Sequence, residues 1–237
     1  MTSGRLNDRN AQLGQFVSLI GAAREIYARR QLKAIAARWD ARAESWDQAL
    51  EDPACHLNDD DAYHRFILLV KSLIARRRRF CSTRGVIDAG CGTGLVLGEV
   101  ISGFAWGIGV DISPKMIRLA RAKHLANTRF LVGDCFNLLA LCPKAGAVLS
   151  RGVLLSHYGP DQGQAILHAA RAVLVPGGVL VLDYLNAAAR TSQRHAPESK
   201  TWYTGDQIRS MARRAGFSAA KTLGKPNRRV LVLLAET

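Results

Sequence analysis

Three aspartates sit at or beside the ends of short apolar runs, at Val86-Ile87-Asp88, Trp106-Gly107-Ile108-Gly109-Val110-Asp111 and Phe130-Leu131-Val132-Gly133-Asp134. The first leads into Ala89-Gly90-Cys91-Gly92-Thr93-Gly94, with three glycines at alternate positions. Glycine lets backbone approach a ligand closely, or take positive φ without a Cβ clash. A carboxylate just before such a turn suits a cationic amine, whereas it would repel a pyrophosphate. The dinucleotide fingerprint places glycines first, third and sixth. Here the sixth place is Leu95, and the third glycine falls at Gly94. Asp111 lies 17 residues beyond Gly94, near the distance at which an acid accepts from ribose hydroxyls.

The elements that must position these groups follow from periodicity. Val86-Ile87 reads as the end of a buried strand, and Leu95 to Ile101 resumes at helical length. The other strands are expected at 106–111, 130–136, 147–150 and 179–184, with an antiparallel pair at 219–223 and 229–235. Ser113-Pro114 fits a helix start. A helix over 162–174 is expected to close at Val175-Pro176-Gly177-Gly178, and Thr204 to cap a helix stopped by Gly216. Upstream, a helix over about 62–79 places Phe66, Leu69, Val70, Leu73 and Ile74 at core spacing and ends in Arg76-Arg77-Arg78-Arg79. Residues 11–38 show an apolar helical face, and the turn-rich 52–61 reads as a loop. Parallel topology brings the three strand-end acids to one sheet edge.

With this set in place, the chain resembles the class I S-adenosylmethionine-dependent methyltransferases over residues 38–237. The resemblance implies a doubly wound α/β fold: a seven-stranded, mostly parallel sheet with a terminal antiparallel hairpin and an N-terminal helical cap. It divides the chain into a cap or lid at 1–80 and a Rossmann-like cofactor domain at 81–237. It implies S-adenosyl-L-methionine contacts from Asp88, Gly90, Cys91, Gly92, Gly94, Asp111, Ile112, Met116, Asp134, Cys135 and Ser150. In that family an acid at the place of Asp134 accepts from the adenine amine. The stretch Trp39-Asp40 to Trp46-Asp47 looks like the cap segment of small-molecule members. Both tryptophans could equally anchor a helix to the core.

Composition bounds the rest. The 237 residues are 48% hydrophobic and 22% charged, enough for a sizeable core. No apolar run reaches membrane-spanning length and the first residues lack a signal peptide's apolar centre, so a cytoplasmic protein, monomer or homodimer, is expected. Five cysteines show neither a C-x-x-C pair nor metal-ligand spacing, so reduced thiols and no metal are expected. The net charge is +14, and residues 186–237 contribute half of it, with 10 basic against 3 acidic residues. A solvated basic surface and a nucleic-acid face both fit that excess.

For catalysis, His157 stands just beyond the fourth strand as a candidate base, with Tyr158 and Arg151 beside it. Acceptor contacts are expected from Trp39, Trp46, Arg151, His157, Tyr184, Trp202 and Tyr203. Those aromatics suit methyl transfer to nitrogen or oxygen of a small planar metabolite. The alternative acceptor is RNA. Against it, the turn after the fourth strand is Ser150-Arg151-Gly152-Val153, not the Asn/Asp-Pro-Pro-aromatic turn of enzymes acting on exocyclic base amines.

Overall fold

A computed structural model describes residues 30–47, 62–152, 154–188, 200–224 and 228–235. The loop expected at 52–61, His195 and most of the 11–38 face lie outside the described residues. Seven strands form one sheet: β1 (Gly85–Ala89), β2 (Trp106–Asp111), β3 (Thr128–Val132), β4 (Ala145–Ser150), β5 (Leu174–Leu185), β6 (Phe217–Gly224) and β7 (Arg228–Ala235), in the order β3-β2-β1-β4-β5-β7-β6. The first five run parallel, and β7 inserts antiparallel between β5 and β6. This is the doubly wound sheet with its terminal antiparallel hairpin.

Helices cover both faces. The described part of α1 spans 30–40. It is followed by α2 (Ala62–Arg76), α3 (Arg78–Cys81), α4 (Leu95–Val100), α5 (Pro114–Ala122), α6 (Leu138–Leu141), α7 (Pro160–Ala172) and α8 (Gly205–Arg214). Because successive strand residues face opposite ways, each central strand feeds two cores. Val86, Leu149 and Val181 pack with Val96, Leu97 and Ile117 on one face. Ile87, Val148 and Leu182 pack with Leu167, Ile208 and Met211 on the other. α2 contributes Phe66, Ile67 and Val70 to the first of these cores. Within the expected cap of 1–80, the described residues that lie over the sheet edge are therefore those around 35–47 together with Tyr63.

The strand expected at 130–136 is Thr128–Val132, and two further boundaries differ from expectation for a local reason. The helix expected over 62–79 breaks at Arg77 (φ −119°, ψ 28°). The Arg77 guanidinium there donates to the Gly177 carbonyl at 2.5 Å and lies 4.2 Å from the Phe80 ring. Within the arginine run, that side chain has a structural task. The Pro176-Gly177-Gly178 segment lies inside β5, where the register against β4 jumps between Leu174 and Val179, while α7 already ends at Ala172. Helix starts follow the sequence closely. The Ser113 hydroxyl accepts from Met116 N at 3.1 Å with Pro114 at the first helical position. Thr204 and Gln207 form a reciprocal capping box on α8.

Candidate active site

The glycine turn folds back onto the end of β2. Gly90 N and Cys91 N both donate to the Val110 carbonyl, at 2.8 and 3.1 Å, which requires the left-handed φ of +75° at Gly90. Gly94 takes φ +81° as the residue before α4. A Cβ there would stand 2.8 Å from the Phe130 ring, so glycine lets the helix seat against β3. The turn forms one wall of a cleft at the carboxyl edge of the sheet.

The three acids face this cleft in different states. Asp111 ends β2, and its carboxylate accepts from Gly92 N at 2.9 Å and Ser113 N at 2.8 Å. Burial raises its pKa against those two donors. Asp134 lies two residues beyond β3, in the loop and not on the strand, and accepts from Phe136 N at 3.0 Å. Asp88 lies within β1 and is 1% exposed, and its Oδ2 has no hydrogen-bond partner. Burial, and secondarily the Asp111 charge, push it up to about 7. A buried carboxylate oxygen left without a donor is costly, and a ligand ammonium would satisfy it.

Over the cleft lies the segment 39–47, held by the two aspartates that follow its tryptophans. Asp40 accepts from the Ser113 hydroxyl and from Lys115 N at 3.0 Å, which holds its pKa low. Asp47 accepts from the Thr93 hydroxyl in the glycine turn and pairs with Lys123 at 2.7 Å. These ties set Trp39 and Trp46 edge to face, 5.4 Å between centroids. The Trp46 Nε1 lies 3.3 Å from where a Gly92 Cβ would stand. Asp47→Ala should lower unfolding stability by about 1–3 kcal/mol, since it leaves a partly buried lysine and hydroxyl without their acceptor. The same variant should raise acrylamide quenching of tryptophan fluorescence, and unchanged quenching would show that the tie does not hold Trp46.

The far end of the cleft carries His157, which packs 5.3 Å from the Trp39 ring. Its Nε2 lies 3.3 Å from the Gly152 carbonyl, and the Lys200 ammonium sits against its Nδ1 and within 2.8 Å of Nε2. The neutral tautomer with hydrogen on Nε2 satisfies both partners: Nε2–H donates to Gly152 O and Nδ1 accepts from Lys200. Desolvation, reinforced by Lys200, lowers the pKa to about 3. The imidazole is then neutral throughout the ordinary pH range, and its one acceptor nitrogen is occupied. His157→Ala should therefore lower turnover by well under the ~100-fold that loss of a general base costs, by the same factor from pH 6 to 9. A loss that shrinks as pH rises would restore the base role.

Other reactive groups are held protonated. Burial pushes Cys135 up to about 12 and Cys91 well above the thiol range. Tyr63 rises to about 12 and Tyr158 is pushed up too. The four described cysteines are free and buried. Among the described residues there is no cluster that could hold a metal and no helix long and apolar enough to cross a membrane.

The cleft wall includes Asp88, Gly90, Cys91, Gly92, Asp111, Ile112, Met116, Asp134, Cys135, Trp39, Trp46, Arg151, His157 and Tyr158. Five expected residues lie elsewhere. Gly94 is behind the turn, as described. The Ser150 hydroxyl is buried and donates to the Ala89 carbonyl at 2.8 Å, joining two strand ends. Tyr184 and Tyr203 are each 1% exposed and belong to the core, with the Tyr203 hydroxyl donating to Leu155 O at 3.2 Å. Alternation along β5 turns Tyr184 into that face. Trp202 does not reach the cleft wall. Sequence reasoning missed Ile35, Thr93 and Leu154 on the wall, which Tyr63 also joins. It also missed the anchoring by Asp40 and Asp47, although an acid directly after each tryptophan was the available signal.

Residues 86–178, 93 of 237, match the family model described as "Methyltransferase domain". Solved structures with the same fold include magnesium protoporphyrin IX methyltransferase from Synechocystis PCC 6803 with bound SAH. It is 19% identical with a TM-score of 0.66, covering 86% of this chain and 99% of that one. The sugar N-methyltransferase KedS8 from Streptoalloteichus sp ATCC 53650 is 19% identical with a TM-score of 0.64, covering 76% and 90%. The DhpI–SAH complex is 18% identical at 0.64, covering 86% and 97%. No curated protein matches the sequence significantly. The strand–glycine turn–helix site thus falls within a stretch that matches a methyltransferase domain, on a sheet with the fold of these solved structures.

Proposed function

We propose that this enzyme methylates a nitrogen or oxygen of a small, planar acceptor held beneath Trp39 and Trp46. The observation that carries this reading is the tryptophan pair tied over the cleft by Asp40 and Asp47. A covered cleft with aromatic walls suits a flat small molecule. Two relatives of the same fold act on small molecules, magnesium protoporphyrin IX and a sugar.

Each chain residue has a role in this reading. The unpartnered Asp88 oxygen takes the cofactor's ammonium. Asp111 has lone pairs left for the ribose hydroxyls, and Asp134 with the Cys135 backbone meets the adenine. The bound cofactor supplies a methyl group on a positively charged sulfur. Trp39, Trp46 and Tyr63 orient the acceptor in line with that methyl and exclude water, which is most of what such a displacement needs. The segment at 30–47 acts as the lid.

The test is transfer of labelled methyl to a metabolite extract, total RNA and DNA in parallel. Label in a small-molecule fraction is expected. The net charge of +14 favours RNA as the second reading. Label in structured RNA, with binding that persists at physiological salt, would replace the first reading with the second.

A further inference from the structure

We infer that the sheet edge opposite the cleft is a docking face for double-helical RNA, a role that goes beyond the proposed function and does not depend on it.

In a parallel α/β sheet the helices run back from the carboxyl edge and end where the next strand begins. Residues just before a strand, or in a helix's last turn, therefore stand at the amino edge. Arg78 and Arg79 precede β1, Lys144 precedes β4, and Arg129 lies at the start of β3. Arg213 and Arg214 end α8 before β6, which runs the same way as β5 because both pair antiparallel with β7. All six are exposed. Arginine in a last turn complements the helix dipole, but that pole is worth only about half a charge per helix. The pairs Arg78–Arg79 and Arg213–Arg214 therefore leave the edge positive. The described acids stand elsewhere. The strand-end aspartates, the first-turn Asp161 and Asp206 and the acids of the lid belong to the carboxyl edge. Glu99 pairs with Lys71 at 2.7 Å.

The same edge carries a polar groove. Arg121, His124, Thr128 and Arg129 line a cleft beside the start of β3. Arg121 Nε and Nη2 both donate to the Phe130 carbonyl, at 3.0 and 2.7 Å, which fixes the guanidinium there. A planar fork held in this way matches a phosphate. From β3 to β6 the edge crosses the whole seven-stranded sheet, roughly 29 Å at about 4.8 Å between strands. A double helix lying along it meets several phosphates at once.

Two features favour RNA over other polyanions. Phe80, the aromatic among these cations, is covered by the guanidiniums of Arg77 and Arg84, each 4.2 Å from its ring. Ser82 and Thr83 beside it are exposed. A membrane-surface contact adds apolar side chains to its cations, and here the ring is already covered. The described helices also meet the edge end-on, so none lies along it to enter a DNA major groove. Duplex RNA is bound through backbone and shape, across a shallow groove. Strands of 5 and 6 residues put this edge roughly 17–20 Å from the cleft, about two Debye lengths at physiological salt. RNA docked there leaves the cleft open to its own acceptor.

Fluorescence anisotropy of the full chain tests this, with a labelled RNA hairpin of about 16 base pairs, the span that shape-reading domains take. Log affinity should fall against log salt with a slope of about −4 or steeper. Arg78→Gln with Arg79→Gln should make the slope shallower by about 2, and Lys144→Gln with Arg213→Gln by as much. Unchanged S-adenosylhomocysteine affinity would show both variants folded, and saturating S-adenosylhomocysteine should not displace the RNA. Absence of binding at low salt overturns the inference, as does binding that both variants leave intact. Loss of binding through Arg38→Gln with Arg42→Gln, on the lid, would place the RNA over the cleft and overturn it too. So would equal or tighter binding of a DNA duplex of the same length, or of vesicles rich in phosphatidylserine. Methyl label on the bound RNA would make RNA the acceptor, which sinks the proposed function together with the separation of the two sites.

Discussion

Asp111→Ala is expected to weaken S-adenosylhomocysteine binding about 100-fold. The carboxylate orders the site twice over. It accepts from Gly92 N and Ser113 N, fixing the glycine turn against the start of α5, and its remaining lone pairs face the cleft. Hydrogen bonds to a charged group are worth about 1.5–3 kcal/mol each, and about 1.4 kcal/mol is tenfold in affinity. Losing the ribose contacts proposed for Asp111 would by itself account for the expected drop. Asp111→Asn should fall between, since it keeps one acceptor oxygen. Calorimetry reads both, and an Asp111→Ala affinity within threefold of wild type would place the ribose elsewhere.

A second large effect is expected from pH. Asp88 in the free enzyme is raised to about 7 by burial and by Asp111. A ligand ammonium favours the charged carboxylate, so proton and ligand compete. Below about pH 7, affinity for S-adenosylhomocysteine should fall roughly tenfold per unit, reaching about 100-fold at pH 5. The stability contribution has the opposite sign to that of an ordinary paired carboxylate. Because the folded state holds this proton more tightly, the contribution is lost as pH rises from 3.8 to about 7. Ligand should therefore raise the melting temperature more at pH 7.5 than at pH 5.5. Asp88→Asn should flatten both profiles and bind more weakly at pH 7.5. Affinity flat from pH 5 to 7.5 in the wild type would mean that Asp88 does not meet the ammonium.

The glycine-turn side of the cleft was legible because its residues are local in sequence. Strand, acid and glycine turn are contiguous, and the helix starts at Ser113 and Thr204 carry their own capping signals. Parallel topology then brought Asp111 and Asp134 to the edge already marked by Asp88. The acceptor half was less legible because it depends on which way side chains turn in three dimensions. Tyr184 sits at a strand end near the site, yet alternation along β5 sends it into the core. Tyr203 follows a loop and is drawn down by two backbone carbonyls, Leu155 and Tyr158. His157 looks like a base until Lys200, 43 residues later, is seen on its ring. The Pro-Gly-Gly segment likewise reads as a helix stop, but its place is a break in the β4–β5 register.

The division of labour between sheet edge and lid is the centre of the account, and Trp46→Ala measures it directly. With the labelled fraction from the metabolite extract as acceptor, turnover and S-adenosylhomocysteine affinity should be read on the same preparation. Turnover should fall by an order of magnitude or more, given the area an aromatic wall buries, while affinity for S-adenosylhomocysteine stays within a few-fold of wild type. Equal losses in both would mean that the tryptophan supports the glycine turn beneath it. Unchanged turnover would mean that the acceptor binds on an open face and not under the lid.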